Sequence, residues 1–382
     1  MSQSLEAAIR ARVPALLVGP PGVGKTAQVE ALAQRLGMGF VPVAVSTRPP
    51  EDFSGLPVPG ADGVRQEPMS WLRRALRLAD EHPAGCIVLL DEFSCAPPAT
   101  QAALLSLVQS RYCGDTSIPQ SVAFVAAMNP TDQAADGWEL PLPTISRWLQ
   151  VVWPAPSADE WCSWLLTGSV RPGDSTRWIG PEGQRARSLI AGYIQKRQSR
   201  LCPDLSREER SGSKPYPCPR SWELGCRAVA EVIPAVGDLE PSLRLVHALL
   251  SGAVGEGDAR EAVTWIRETD LPDPEAVLAD PAGWAVDSTR QDRVWAVLGA
   301  VLGAVLGRLD ARGRIPRERW EAAWAVYLRA DGAGARAAAY AALARPLAVE
   351  TGEKGRAFGL PISPVVARAV GEAARLRTEA VG

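Results

Sequence analysis

Residues Gly19 to Thr26 read Gly-Pro-Pro-Gly-Val-Gly-Lys-Thr, and no other segment restricts the possible folds of this chain so far. The spacing is G-x-x-x-x-G-K-[ST], the pattern of a loop that cradles phosphate. The run 15–18 before it is short and apolar, as a buried strand is. After it, Val29, Leu32, Ala33 and Leu36 recur at helical spacing. The motif therefore sits between a strand and a helix. Gly19, Gly22 and Gly24 allow backbone conformations closed to other residues and a close approach to an anion. Pro20 and Pro21 stiffen the loop, and Val23 completes it. Its amide N–H groups converge on the anion, helped by the positive end of the following helix. Lys25 is placed to reach the β- and γ-phosphates, and Thr26 to ligate Mg²⁺, so ATP and Mg²⁺ are the expected ligands. The chain holds four Lys against 37 Arg. A lysine at position 25 stands out there, because an ammonium and a guanidinium do different work.

Further strand-like runs lie at 41–45, 86–90, 122–128 and 149–153, with amphipathic stretches at 25–36, 71–81 and 99–109 between them. Such alternation predicts a parallel sheet with crossover helices. After Pro154 the pattern turns helical, with periodic stretches at 158–166, 182–197, 219–232, 243–250 and 258–269. The polar, Pro-rich stretch 203–217 reads as a loop. Beyond Pro272 and Pro274 come Ala-rich helical stretches at 290–309, 317–328 and 335–347, expected to form a separate small unit. Trp284, Trp295, Trp320 and Trp324 are its expected core. At 382 residues the chain exceeds one ordinary core. The expected domains are residues 1–155, 156–275 and 276–382.

The run 86–90 ends in Asp91 and Glu92. A strand delivers the first carboxylate to the mouth of the sheet, where it can hold the hydration shell of Mg²⁺ near Thr26. The second points elsewhere and can polarise a water for attack on the γ-phosphate. The run 122–128 ends in Asn129-Pro130; Asn129 can position that water, or simply open a turn. Arg147, just before the fifth run, can project to a neighbouring subunit's nucleotide as an arginine finger, or be a surface residue. Arg220, in Pro219-Arg220-Ser221-Trp222, begins a helix and can touch the nucleotide.

The ordered set GPPGVGKT, CIVLLDEF, AAMNP, LPTISRW and CPRSW resembles the MoxR branch of the AAA+ ATPases. The resemblance covers roughly residues 10–275 and is strongest in the first 155. It implies an α/β P-loop NTPase with the five-stranded parallel AAA+ sheet, helices on both faces and an all-helical lid, here followed by a C-terminal helical region. It implies a ring, hexameric in that branch, that remodels partner proteins, often one with a von Willebrand factor A domain. Carried over by position, Lys25 and Thr26 are Walker A, Asp91 and Glu92 Walker B, Asn129 sensor 1 and Arg220 sensor 2. Residues 51–57 fall where the branch has an insert, and Gly55-Leu56 could touch substrate or simply pack. Residues 109–121 match its short hairpin before the sensor strand. The branch carries Asp before the finger-like Arg and Phe after it; here Ser146 and Trp148 flank Arg147, and Arg111 is a rival.

Seven Cys with no C-x-x-C pair, and two His, argue against a zinc site or a disulfide framework. Cys86 reads as a small buried hydrophobe. Net charge is −2 without a basic block, which argues against nucleic acid as a partner. No run of 18 apolar residues is present and no secretory leader is recognisable, so a cytoplasmic protein is expected. Two other readings stay open: an ATPase moving on nucleic acid, and a nucleotide-gated scaffold that turns over slowly.

Overall fold

The computed structural model describes residues 2–60, 63–130, 138, 140–167, 171, 173–204, 214–235, 237–269, 271–306, 308, 315–333, 356–357 and 360–361. Two compact units divide the chain, Met1–Ala155 and Pro156–Gly382.

In the first unit the order is α1 (Ser2–Arg10), β1 (Ala15–Val18), α2 (Lys25–Leu36), β2 (Gly39–Ala44), α3 (Glu51–Ser54), β3 (Leu56–Gly60), β4 (Gly63–Glu67), α4 (Ser70–Glu81) and β5 (Cys86–Asp91). Then come α5 (Pro98–Ser110), β6 (Tyr112–Cys113), β7 (Thr116–Ser117), β8 (Val122–Met128), α6 (Leu142–Ile145) and β9 (Leu149–Val152). Five strands form one sheet in the order β2-β5-β8-β1-β9. Every pairing in it is parallel. This is the P-loop fold of an AAA+ domain. The two strands inside the sheet with the longest apolar runs, β5 and β8, are buried from Cys86 to Leu90 and from Val122 to Met128. Continuous burial is what a parallel sheet covered on both faces demands. The edge strand β9 buries only Val151.

Register decides the site. Val18 pairs with Met128, and Leu90 with Ala126. The carboxyl ends of β1, β5 and β8 therefore share one rim, where ligands bind in open α/β sheets. The expected strands are all present, with ends shifted by a residue or two. Helix α1 was not foreseen. Nor was hairpin β3–β4, whose ten residues are all exposed. The hairpin expected at 109–121 is β6–β7. It is bonded to β4: Asp115 N donates to Gln66 O at 3.0 Å, and Gln66 N donates to Asp115 Oδ2 at 2.9 Å. Leu56 lies exposed on hairpin β3–β4.

The second unit is built on helices: α7 (Ala158–Thr167), α8 (Thr176–Ile179) and α9 (Pro181–Lys196), then Pro219–Ala230, Glu240–Val254, Glu256–Glu268, Pro274–Ala279, Gln291–Leu306 and Arg317–Gly332. Farther on, Arg356–Ala357 pairs with Leu360–Pro361. Trp284, Trp295, Trp320 and Trp324 are buried, as expected. Their core is not a separate one: it is continuous with that of Trp161, Trp178, Trp222 and Trp265. Small residues explain the fusion. A Cβ on Gly299 would lie 2.8 Å from Ser188 Oγ, and one on Gly303 1.7 Å from Gln184 Cγ. The glycines thus let helix Gln291–Leu306 lie close along α9. The helix expected at 335–347 lies outside the described residues, as do residues 205–213 of the expected loop.

Candidate nucleotide-binding site

The loop after β1 has the geometry its sequence predicts. Gly22 and Gly24 have φ of 75° and 86°, left-handed values that favour glycine. Gly19 is needed for another reason. A Cβ there would sit 1.9 Å from the Trp153 carbonyl oxygen, at the end of β9. Lys25 opens α2, yet its side chain turns back under the loop. Its ammonium donates to Gly19 O at 2.7 Å, Pro20 O at 2.9 Å and Asn129 Oδ1 at 2.9 Å. The residue is buried. Thr26 Oγ1 donates to Asp91 Oδ2 at 2.6 Å. Four site residues from one loop–helix junction and two strand ends are thereby joined in space.

Asp91 and Glu92, adjacent in sequence, part company. Asp91 is the last residue of β5, and its Oδ1 accepts from Glu92 N at 3.0 Å. Glu92 has φ 58° and ψ 39°, a left-handed conformation uncommon outside glycine. This turn sends its side chain away from Asp91, where it accepts a hydrogen bond from Ser46 Oγ. Ser46 was absent from the sequence reading. Strand order is the signal that finds it: Ala44 pairs with Asp91, so the residues just beyond both strands meet. Phe93, next after Glu92, is fully buried against Trp148.

Asn129 follows β8 and, with its oxygen given to Lys25, has its amide nitrogen left to donate elsewhere. Arg147 is exposed and held on the surface of its own unit. Its Nε donates to Gln109 Oε1 at 2.8 Å and its Nη1 to Pro143 O at 2.5 Å. The rival Arg111 is occupied in the fold. It donates to the carbonyls of Ile118, Pro119 and Val122 and stacks 5.2 Å from the Phe124 ring centroid. Arg220 belongs to the second unit, exposed at the second position of helix Pro219–Ala230.

The residues fit Mg²⁺ and a phosphate chain. Thr26 and Asp91 offer hard oxygen donors, the kind Mg²⁺ takes. Among the described residues no group of three His, Cys, Asp or Glu gathers. A cation here would complete its shell with phosphate oxygens and water, as Mg²⁺ does at nucleotide sites. Burial pushes the Cys86 and Cys226 thiols up to about 12. No helix among the described residues is long and apolar enough to cross a membrane.

Residues 14–148 match the family model of the AAA domain (dynein-related subfamily). Over 168 residues, 42% of this chain, the sequence is 29% identical to midasin of Giardia intestinalis, and the match spans 3% of that protein. A proposed ATPase from Cytophaga hutchinsonii aligns over 71% of this chain and 89% of its own, at 15% identity and a TM-score of 0.34. The family match covers the first unit almost end to end and supports an AAA+ ATPase domain there.

Proposed function

We propose that this protein is a Mg²⁺-dependent ATPase of the MoxR-like kind, which assembles as a ring, hexameric by that resemblance, and spends ATP turnover on remodelling a partner protein. The observation that carries the catalytic half is the convergence of Lys25, Thr26, Asp91 and Asn129 at one rim of the sheet. The remodelling half, and a partner bearing a von Willebrand factor A domain, rest on the sequence resemblance.

In this reading the loop amides and Lys25 hold the phosphates. Lys25 exchanges the carbonyls of Gly19 and Pro20 for phosphate oxygens, and Thr26 and Asp91 hold Mg²⁺. Held there, Mg²⁺ would supply positive charge against the phosphoryl oxygens. Glu92 takes a proton from the attacking water as its oxygen bonds to the γ-phosphorus and ADP leaves. Asn129 orients that water. Glu92 must first leave Ser46, so basal turnover is slow. Arg147, exposed and outside the Lys25 cluster, is the group offered to a neighbour's nucleotide. The sensor 2 role of Arg220 rests on the sequence resemblance.

Steady-state ATP hydrolysis with Mg²⁺ tests this, run on wild type and Glu92→Gln and paired with sizing in ATP. Turnover should fall about 10²-fold in the variant, the scale of losing a positioned base, while nucleotide binding and the ring persist. Equal rates and a monomer in both would overturn the reading.

A further inference from the structure

Two residues with separate roles in the proposed reaction each have an aromatic neighbour in sequence. Phe93 follows Glu92, and Trp148 follows Arg147. The two rings meet edge to face, with centroids 5.3 Å apart and planes at 65°. Both are buried. One residue beyond the base and one beyond the finger are therefore a single contact inside one subunit.

The surroundings tie this contact to both groups. Glu92, bonded to Ser46, has a left-handed backbone conformation immediately before Phe93, so the same stretch of backbone carries the base and the ring. Arg147 is exposed, and its guanidinium is held by Gln109 and the Pro143 carbonyl at its own surface. Trp148 is its buried anchor. Trp148 Nε1 and the Oγ of Ser94, which follows Phe93, are both buried without a hydrogen-bond partner among the described residues. Buried polar atoms left unpaired are costly.

We propose that Phe93 and Trp148 are positioning residues that set Arg147 toward the neighbouring subunit according to the state of Glu92 in its own. The inference rests on the ring-and-finger reading and deepens it. Its consequence is specific. Damage to Phe93, next to the base of its own site, should impair the neighbour's site instead.

Mixed rings test it. Trp148→Leu and Phe93→Leu should each slow ATP turnover about tenfold or more, part of the 10³–10⁵ an arginine finger supplies. Each should leave nucleotide affinity within about twofold, because neither residue lies in the 19–26 loop. Trp148→Phe, which keeps an edge for Phe93, should retain most activity. The deciding readout is complementation with Glu92→Gln subunits, which lack the base and keep the finger. Both leucine variants should regain turnover when mixed with them, as should Arg147→Ala; a defect in folding or in the variant's own base would show no such recovery. Recovery with Arg147→Ala and none with Phe93→Leu would overturn the inference and leave the finger standing. No recovery with Arg147→Ala would end the finger reading and the inference together. Thermal melts run alongside identify any variant that fails to fold; if Trp148→Leu does, Phe93→Leu and Trp148→Phe carry the test.

Discussion

Each unit of the molecule buries a cation, and the two are held in opposite ways. Lys25 in the first unit and Arg187 in the second are 8% and 3% exposed. Lys25 is gripped by two loop carbonyls and the side chain of Asn129, all on the rim of the sheet. Arg187 is gripped inside a helical core. It donates to Trp178 O at 2.7 Å and to Gln184 Oε1 at 2.5 Å, and stacks 4.7 Å from the Trp178 ring centroid. Burial pushes Arg187 down to about 10, which marks a charge kept from water. The lesson is that burial of a charge does not announce a site. A cation whose acceptors sit on a loop at a strand end can exchange them for phosphate; one whose acceptors lie within the packing cannot.

The largest effect should come from breaking both cations. Lys25→Ala should weaken ATP binding by about 10²-fold or more, since hydrogen bonds to a charged group are the strong ones, and leave the melting temperature nearly unchanged. Arg187→Ala should do the reverse. It strips donors from two buried acceptors, at about 1–3 kcal/mol each, so stability should fall by about 3 kcal/mol with nucleotide affinity intact. Nucleotide titration and denaturant melts of both variants check this. Equal effects in both assays would erase the contrast.

Two glycines sharpen it at a smaller scale. Gly19→Ala drives a Cβ against the Trp153 carbonyl, just beyond the neighbouring strand β9. Gly303→Ala meets Gln184, whose side chain bonds Arg187 and Gly299 O. Overpacking of this kind costs about 1–3 kcal/mol. Only Gly19→Ala should also weaken nucleotide binding, because its strain falls on the phosphate loop. The smallest effect is Ser46→Ala. Freeing Glu92 of one hydrogen bond should raise basal turnover by up to about tenfold, the equivalent of about 1.4 kcal/mol. A fall in turnover would mean that Ser46 positions the base instead of restraining it.

How much of this could be read in advance depends on how local each feature is. The loop 19–26 and the acid pair were legible because strand, turn and helix follow one another along the chain, and the physics of each is short-ranged. Asn129 was legible only as the end of a strand; its bond to Lys25 spans 104 residues. Ser46 was not legible, because only the pairing of β2 with β5 sets it beside Glu92. The left-handed turn at Glu92 was equally hidden, since a glutamate carries no sign of it. In the helical half the four tryptophans announced a core. Its continuity with α9 depended on Gly299 and Gly303, which in sequence only lower helix propensity.

By itself, then, the amino-acid sequence determined the phosphate loop, the parallel α/β alternation and the helical second half, because periodicity and glycine spacing act within a few residues. The tertiary structure alone decided which strand ends become neighbours, where Glu92 rests, why Gly19 has no room for a side chain and that Phe93 meets Trp148. Those depend on strand order and register, which bring together residues far apart in the chain.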